Sequence, residues 1–215
     1  MDTRSKKDQI LDAFRSLLEN QNIQKISVSA IAKQAGIGKG SIYYYFSSKD
    51  EILDALIART YADALALAKE LVHQTDLSIY TRLAQITNAC IAASSEFLKR
   101  SKVTQGMTND LERIYDSAYI HQQFMKHSIV DFKEVYTEII QQEIDKGMIS
   151  FSSAAEIAEI VLIVLTVKID NSLSPSSEED TARTLQTLIT LLERGTGHPD
   201  GAFGIKIENG TSACE

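Results

Sequence analysis

The first proline in this chain is Pro175, and only Pro199 follows it. Proline interrupts helices because it lacks a backbone N–H and clashes with the preceding turn. The long stretch before Pro175 is instead rich in Ala, Leu, Ile, Glu and Lys, which favour helix. Apolar residues recur there every three or four positions, and no segment alternates as a strand would. An all-α fold is therefore expected.

The pattern divides into helices. Ile10, Leu11, Phe14, Leu17 and Leu18 mark an amphipathic helix over about residues 4–20. Ser27 to Gly36 reads as a short second helix, with Ser27 as N-cap and Gly36 as stop. Ser48-Lys-Asp-Glu51 is a capping box, in which the serine caps and the glutamate reaches back. It opens a long helix to about Val72. Further helical patterns cover 77–100, 109–127 and 128–146. Residues 153–172 are apolar nearly all round from Ile157 to Ile169, so two sides need cover. A last helix follows Pro175, with Leu185, Leu188, Ile189 and Leu192 on its inner face. Five of the ten glycines fall within 195–215, which reads as a mobile tail over 196–215.

Charge is uneven. Residues 1–49 carry a net +4 and the remainder −11, for a total of −7. A basic front on an acidic body points to a polyanion at the front alone. Two cysteines, Cys90 and Cys214, form no disulfide framework, and a reducing cytoplasm is the expected location. MDTRSKKDQI has no apolar stretch behind its charges, so it does not read as a signal peptide. The apolar run from Ile160 to Val167 is far short of the roughly 20 residues that span a bilayer, so no membrane is expected.

GIGKGSIYYYF, Gly36 to Phe46, is the segment richest in chemistry. It is not a Walker loop, because Gly38-Lys39 is followed by Gly40 rather than Ser or Thr. It is not a dinucleotide fingerprint, because SAIAKQA before it has helical rather than strand character. A helix-turn-helix fits. Ala32 is the small residue where two helices touch, and Gly36 makes the turn four residues on. Ile31, Ala35, Ile37, Ile42 and Tyr45 form the apolar flanks; Ile42 and Tyr45 point inward, and Tyr45 and Phe46 pack the second helix of the pair against its neighbours. Gly38 then starts the recognition helix. Lys39, Gly40 and Ser41 occupy its first turn, where side chains face base edges in the major groove. Tyr43 and Tyr44 point outward, with hydroxyls able to donate to phosphate oxygens. Lys49 adds charge at the next helix start. Ser27 and Ser29 lie near the groove edge, Ser27 chiefly as a cap.

SVSAIAKQAGIGKGSIYYYFSSKDEIL, Ser27 to Leu53, resembles the DNA-binding signature of TetR-type transcriptional regulators. Ser27, Ile31, Ala32, Ala35, Gly36, Gly40, Tyr43, Tyr45, Phe46 and Lys49 match that pattern, while Gly38 stands where serine is usual. The signature covers about residues 5–60. The resemblance implies a DNA-binding domain over 1–48 and a helical effector-binding and dimerisation domain over 49–195. It implies a homodimer through residues 153–194 that binds a palindromic double-stranded DNA operator as a repressor. A small apolar or amphipathic effector would release it. Phe97, Met107, Tyr115, Tyr119, Phe124 and Tyr136 are the candidate effector contacts, since such pockets are apolar with a few polar groups.

Two other readings stand beside this one. One is a DNA-binding regulator without a small-molecule effector. The other is a helical enzyme with an incidental helix-turn-helix. No catalytic residue is assigned, because no serine elbow, HExxH or Cys–His set is present. His121 and His127 are six apart, which is not a ligand spacing on one helix face, so no metal or cofactor is expected.

Overall fold

The computed structural model describes residues 5–100, 111–170, 172–173, 175–199 and 201, without the side chains of 111–116. The described residues form helices and connecting turns, with no strand among them. In chain order the helices are α1 (Lys6–Leu18), α2 (Val28–Gln34), α3 (Lys39–Tyr45), α4 (Lys49–Thr60), α5 (Ala62–Val72), α6 (Ile79–Arg100), α7 (Leu111–Val130), α8 (Lys133–Asp145), α9 (Ala154–Asp170) and α10 (Glu178–Gly195). A 3-10 turn, Ile23–Lys25, precedes α2.

The chain divides into two compact units, Met1–Asp63 with Ile91–Phe124, and Ala64–Cys90 with Met125–Glu215. In the first, α1 packs on α2 and α4, and α2 packs on α3. Its core includes Ile10, Phe14, Ile31, Ile42, Ile52 and Ile57, each 1% exposed or less. Arg59 on α4 reaches Asp12 on α1 at 2.9 Å and Asp8 at 3.7 Å. In the second unit, α9 packs on α8 and α10.

Three expectations need correction. The long helix expected through Val72 is two helices, separated at Tyr61, which ends α4 and is 3% exposed. The helix expected from Ser128 starts at Lys133, because α7 runs on to Val130 and the chain turns at Asp131 and Phe132. In the capping box, Ser48 does accept from the Glu51 amide at 3.1 Å. The Glu51 carboxylate, however, reaches one residue beyond the cap and accepts from the Ser47 amide at 2.6 Å and hydroxyl at 2.7 Å.

On α9, Ile157, Ala158, Val161 and Leu162 are buried, while Ile160 is 55% and Ile163 43% exposed. The inner-face residues expected of α10, Leu185, Leu188, Ile189 and Leu192, are only half-buried. The first residues beyond α10 are held in place. The Thr196 carbonyl accepts from the Ser150 hydroxyl at 2.9 Å, and the Gly201 amide donates to Glu193 at 2.9 Å. The remainder of the expected tail, from 202 on, lies outside the described residues.

Candidate nucleic-acid interface

Two short helices and the turn between them build the candidate surface. Ser27 caps α2, accepting from the Ala30 amide at 3.1 Å, which leaves its own O–H as an outward donor. At the other end, Gly36 adopts φ +67°. Its amide donates to the Lys33 carbonyl at 3.2 Å, and the Ile37 amide to the Ala32 carbonyl at 3.0 Å. That pair of bonds is a Schellman stop, and the left-handed residue inside it is why glycine sits there. The chain then turns directly into α3.

Gly38 is the N-cap of α3, at φ −68° and ψ 144°, with no side chain to cap the helix. Ile42 is the one buried residue of α3. At about 100° per residue, Gly40 and Tyr44 lie on the opposite pole. Tyr44 is accordingly 83% exposed and Tyr43 52%. Lys39, Gly40 and Ser41 are exposed, as are Ser27 and Ser29. The exposed face thus carries one ammonium, several hydroxyls and a glycine whose absent side chain leaves the backbone approachable. Those groups can donate to phosphate oxygens and base acceptors.

Tyr45 was expected to point inward with Ile42. It is 38% exposed, and its ring meets that of Tyr44 edge-on at 5.0 Å and 84°. Three residues on a helix is about 60° short of a full turn, which swings Tyr45 to the edge of the buried face. Phe46, expected to pack inward with it, does so and is 3% exposed. The Lys7 ammonium lies 5.6 Å from the centre of its ring. Lys49 is half-buried, and its ammonium donates to the Ile23 carbonyl at 2.8 Å, across the first unit. Two carboxylates of this unit are engaged by serines at the start of their own helices. Hydrogen bonds from Ser47 hold Glu51 below the usual carboxylate range. The Ser5 hydroxyl does the same for Asp8, with Arg59 adding to it.

The candidate effector residues separate. Phe97 and Phe124 are each 2% exposed, with ring centres 4.9 Å apart. Tyr61 meets Phe124 edge-on at 5.6 Å, and the Arg15 guanidinium lies 5.9 Å from the Phe97 ring. Tyr119 donates to Asp50 at 3.0 Å. All three candidates belong to the unit that holds the helix-turn-helix. Tyr136 belongs to the other unit, 2% exposed, with its hydroxyl 2.8 Å from that of Thr87. Met107 and the side chain of Tyr115 lie outside the described residues.

Sequence reasoning missed Arg82, which is 0% exposed and bonded to Gln142 at 2.7 Å and Glu143 at 3.0 Å. Its signal was available: Arg82 falls between Ile79 and Ile86 on the apolar stripe of α6, where a charge needs a partner.

Residues 10–56 match the family model described as bacterial regulatory proteins, tetR family. The fatty acid metabolism regulator protein of Bacillus subtilis is 43% identical over 53 residues, 25% of this chain and 27% of that protein. The HTH-type transcriptional regulator EthR of Mycobacterium tuberculosis is 35% identical over 72 residues, 34% of this chain and 28% of that protein. The chain thus matches little more than a quarter of the length of these relatives. Solved structures are alike over most of the chain. RolR in complex with resorcinol aligns at TM-score 0.59 and 14% identity, covering 92% of this chain and 90% of that one. FadR from Bacillus subtilis in complex with stearoyl-CoA aligns at TM-score 0.51 and 20% identity, covering 87% and 98%. At these identities the likeness is one of fold.

Proposed function

This chain belongs, through its N-terminal domain, to the TetR family of bacterial regulatory proteins, and from that premise we propose that it is a repressor that binds a palindromic operator as a homodimer and is released by a small-molecule effector. The observation that carries this reading is the exposed face of α3. Lys39, Gly40, Ser41, Tyr43 and Tyr44 stand clear of the core around the single buried Ile42. Residues 1–48 are the DNA-binding part and 49–195 the effector-binding and dimerisation part. The recognition helix of each subunit enters one major groove, and the two-fold symmetry of the dimer matches that of the operator.

Dimerisation through residues 153–194 is supported by apolar side chains left open on α9 and α10. Ile160, Ile163 and Leu191 are 55%, 43% and 63% exposed. A groove of about 420 Å³ runs beside them, lined by Val164, Arg183, Thr187, Leu188 and Leu191 among others. Such a surface fits a second copy better than it fits water. The related folds that hold stearoyl-CoA and resorcinol support an apolar or amphipathic effector. No helix among the described residues is long and apolar enough to cross a membrane, and a cytoplasmic site of action follows from the proposed role.

The test is operator binding by the purified full chain, using DNA from upstream of its own gene and from a genome-wide selection. Specific binding should weaken steeply with salt, because phosphate contacts release counterions. Lys39→Ala should erode discrimination between sequences, whereas Tyr44→Phe should weaken all sequences alike. Selection that enriches no sequence over background would remove the reading.

A further inference from the structure

A cation from a different helix stands at the end of α3. Lys7, in the first turn of α1, is exposed, and its ammonium lies 5.6 Å from the centre of the Phe46 ring. Phe46 is the C-cap of α3, its amide donating to the Ile42 carbonyl at 2.9 Å. At 3% exposure it is fixed in the core, so its ring is a rigid platform. The negative face of an aromatic ring attracts an ammonium. The long Lys7 stem is thereby ordered before any ligand arrives. Among the described residues, no oxygen pairs with the Lys7 ammonium, and its N–H donors are left for one.

The cation expected to grip phosphate just beyond α3 is already spent. Lys49 donates to the Ile23 carbonyl at 2.8 Å. The Ser47 amide and hydroxyl are also taken, both donating to Glu51, at 2.6 and 2.7 Å. The Lys7 charge reaches this same turn. Hydrogen bonds from Ser47 chiefly hold the Glu51 carboxyl low, and the Lys7 charge adds to them without an ion pair forming.

The dimensions of α3 set where Lys7 would meet DNA. Its seven residues make a helix roughly 10 Å long. The major groove is about 8.5 Å deep. With Lys39, Gly40 and Ser41 at the base edges, the far end of α3 stands at the rim, level with the phosphates. Tyr45, whose ring meets that of the exposed Tyr44 at 5.0 Å, is the residue before Phe46. The cation over Phe46 thus lies beside the exposed face, at phosphate height. A compact ammonium there is a point charge suited to a phosphodiester, and such contacts position a protein without reading sequence.

We propose that Lys7 is a DNA-backbone contact of this protein, its ammonium held on the Phe46 ring and donating to a phosphodiester oxygen at the rim of the groove that α3 enters. The contact lies on α1, outside the helix-turn-helix, and takes the place that Lys49 vacates by turning inward. This assignment rests on the DNA-binding reading above and adds a residue to its interface.

The test measures binding of the full chain to duplex DNA enriched by selection, over a range of salt, for wild type, Lys7→Met and Lys7→Arg. Methionine keeps an unbranched stem on the ring and removes the charge. For a dimer on a palindrome, Lys7→Met should flatten the slope of log affinity against log salt by about two, one contact per subunit. Lys7→Arg should keep the wild-type slope. The slope counts charges rather than folded molecules, so it remains decisive even if Lys7→Met melts earlier. A second reading moves a single neutral methylphosphonate along each flank of the duplex. One position should weaken wild type and leave Lys7→Met unaffected. Weaker binding of Lys7→Met at an unchanged slope would overturn the assignment and leave Lys7 as a brace for Phe46. Equal sensitivity of both proteins at every methylphosphonate position would overturn it too, as would a changed sequence preference, the mark of a base contact. If selection enriches no sequence, the operator reading falls, and the slopes on random duplex judge Lys7 by the same criterion.

Discussion

The Lys49 ammonium donates to the Ile23 carbonyl across 2.8 Å, joining the first turn of α4 to the 3-10 turn that precedes α2. A charge that sequence reasoning placed on DNA is therefore a brace inside the first unit. Lys49→Met should lower unfolding free energy by about 1–2 kcal/mol, short of the full range for charged hydrogen bonds because the group is half-exposed. Chemical denaturation of wild type and variant decides it. Unchanged stability with weakened DNA binding would assign the lysine to phosphate alone.

Gly40 sits on the exposed pole of α3, and a methyl group added there would meet nothing within 4 Å. Gly40→Ala should stabilise the fold by about 0.5–1 kcal/mol, since glycine is the poorer helix former. Operator affinity should fall in the same variant, because the added Cβ keeps the backbone from the groove. Thermal melting and anisotropy together check both signs.

Gly38 caps α3 with backbone angles that serine adopts freely, and its nearest contact for a Cβ is Ser41 Oγ at 3.9 Å. Gly38→Ser should add a side-chain cap and stabilise by a few tenths of a kcal/mol. The opposite holds at Gly36, which also has open space around it but φ +67°. Gly36→Ala should cost about 1–2 kcal/mol from backbone conformation alone. Equal melting temperatures for the two variants would refute this account of the turn.

Glu51 has its pKa lowered by the Ser47 hydroxyl and amide. A carboxyl with a folded pKa below its unfolded one contributes stability above the unfolded value, about 4.3 for glutamate, and loses it as pH falls through the folded value. Ser47→Ala should therefore be less stable than wild type at pH 7, with the difference shrinking as pH falls below the unfolded value and through the folded one. Paired melts across that range show whether the two curves converge.

Leu191 is 63% exposed on α10 beside the groove that Arg183 and Leu188 line. Leu191→Glu should leave the fold intact and shift sedimentation toward monomer. Operator affinity should drop on the order of a hundredfold, because two linked half-site contacts become one. A variant that stays dimeric would move the interface off this face.

Much of the first unit was legible in the chain. Ser27 and Ser48 as caps, Gly36 as the stop and Ile42 as the inward residue of α3 are local matters. Each depends on neighbours within four residues, so spacing and residue type suffice. Tyr45 and Glu51 were read less well, because a fraction of a helical turn, or one residue of reach, lies inside the tolerance of a periodic pattern. The split at Tyr61 was hidden because the apolar rhythm continues through it.

What the sequence by itself determined is an all-helical chain with a helix-turn-helix near its start, since backbone propensity, capping and the 3.6-residue period are written residue by residue. Only the tertiary structure decided which side chains share an interior. It placed Phe124 against both Tyr61 and Phe97 in the first unit, and Arg82 against Gln142 and Glu143 in the other. Those partners are about 30 to 60 residues apart along the chain, and contacts at such separation depend on how whole helices pack, which no local pattern encodes.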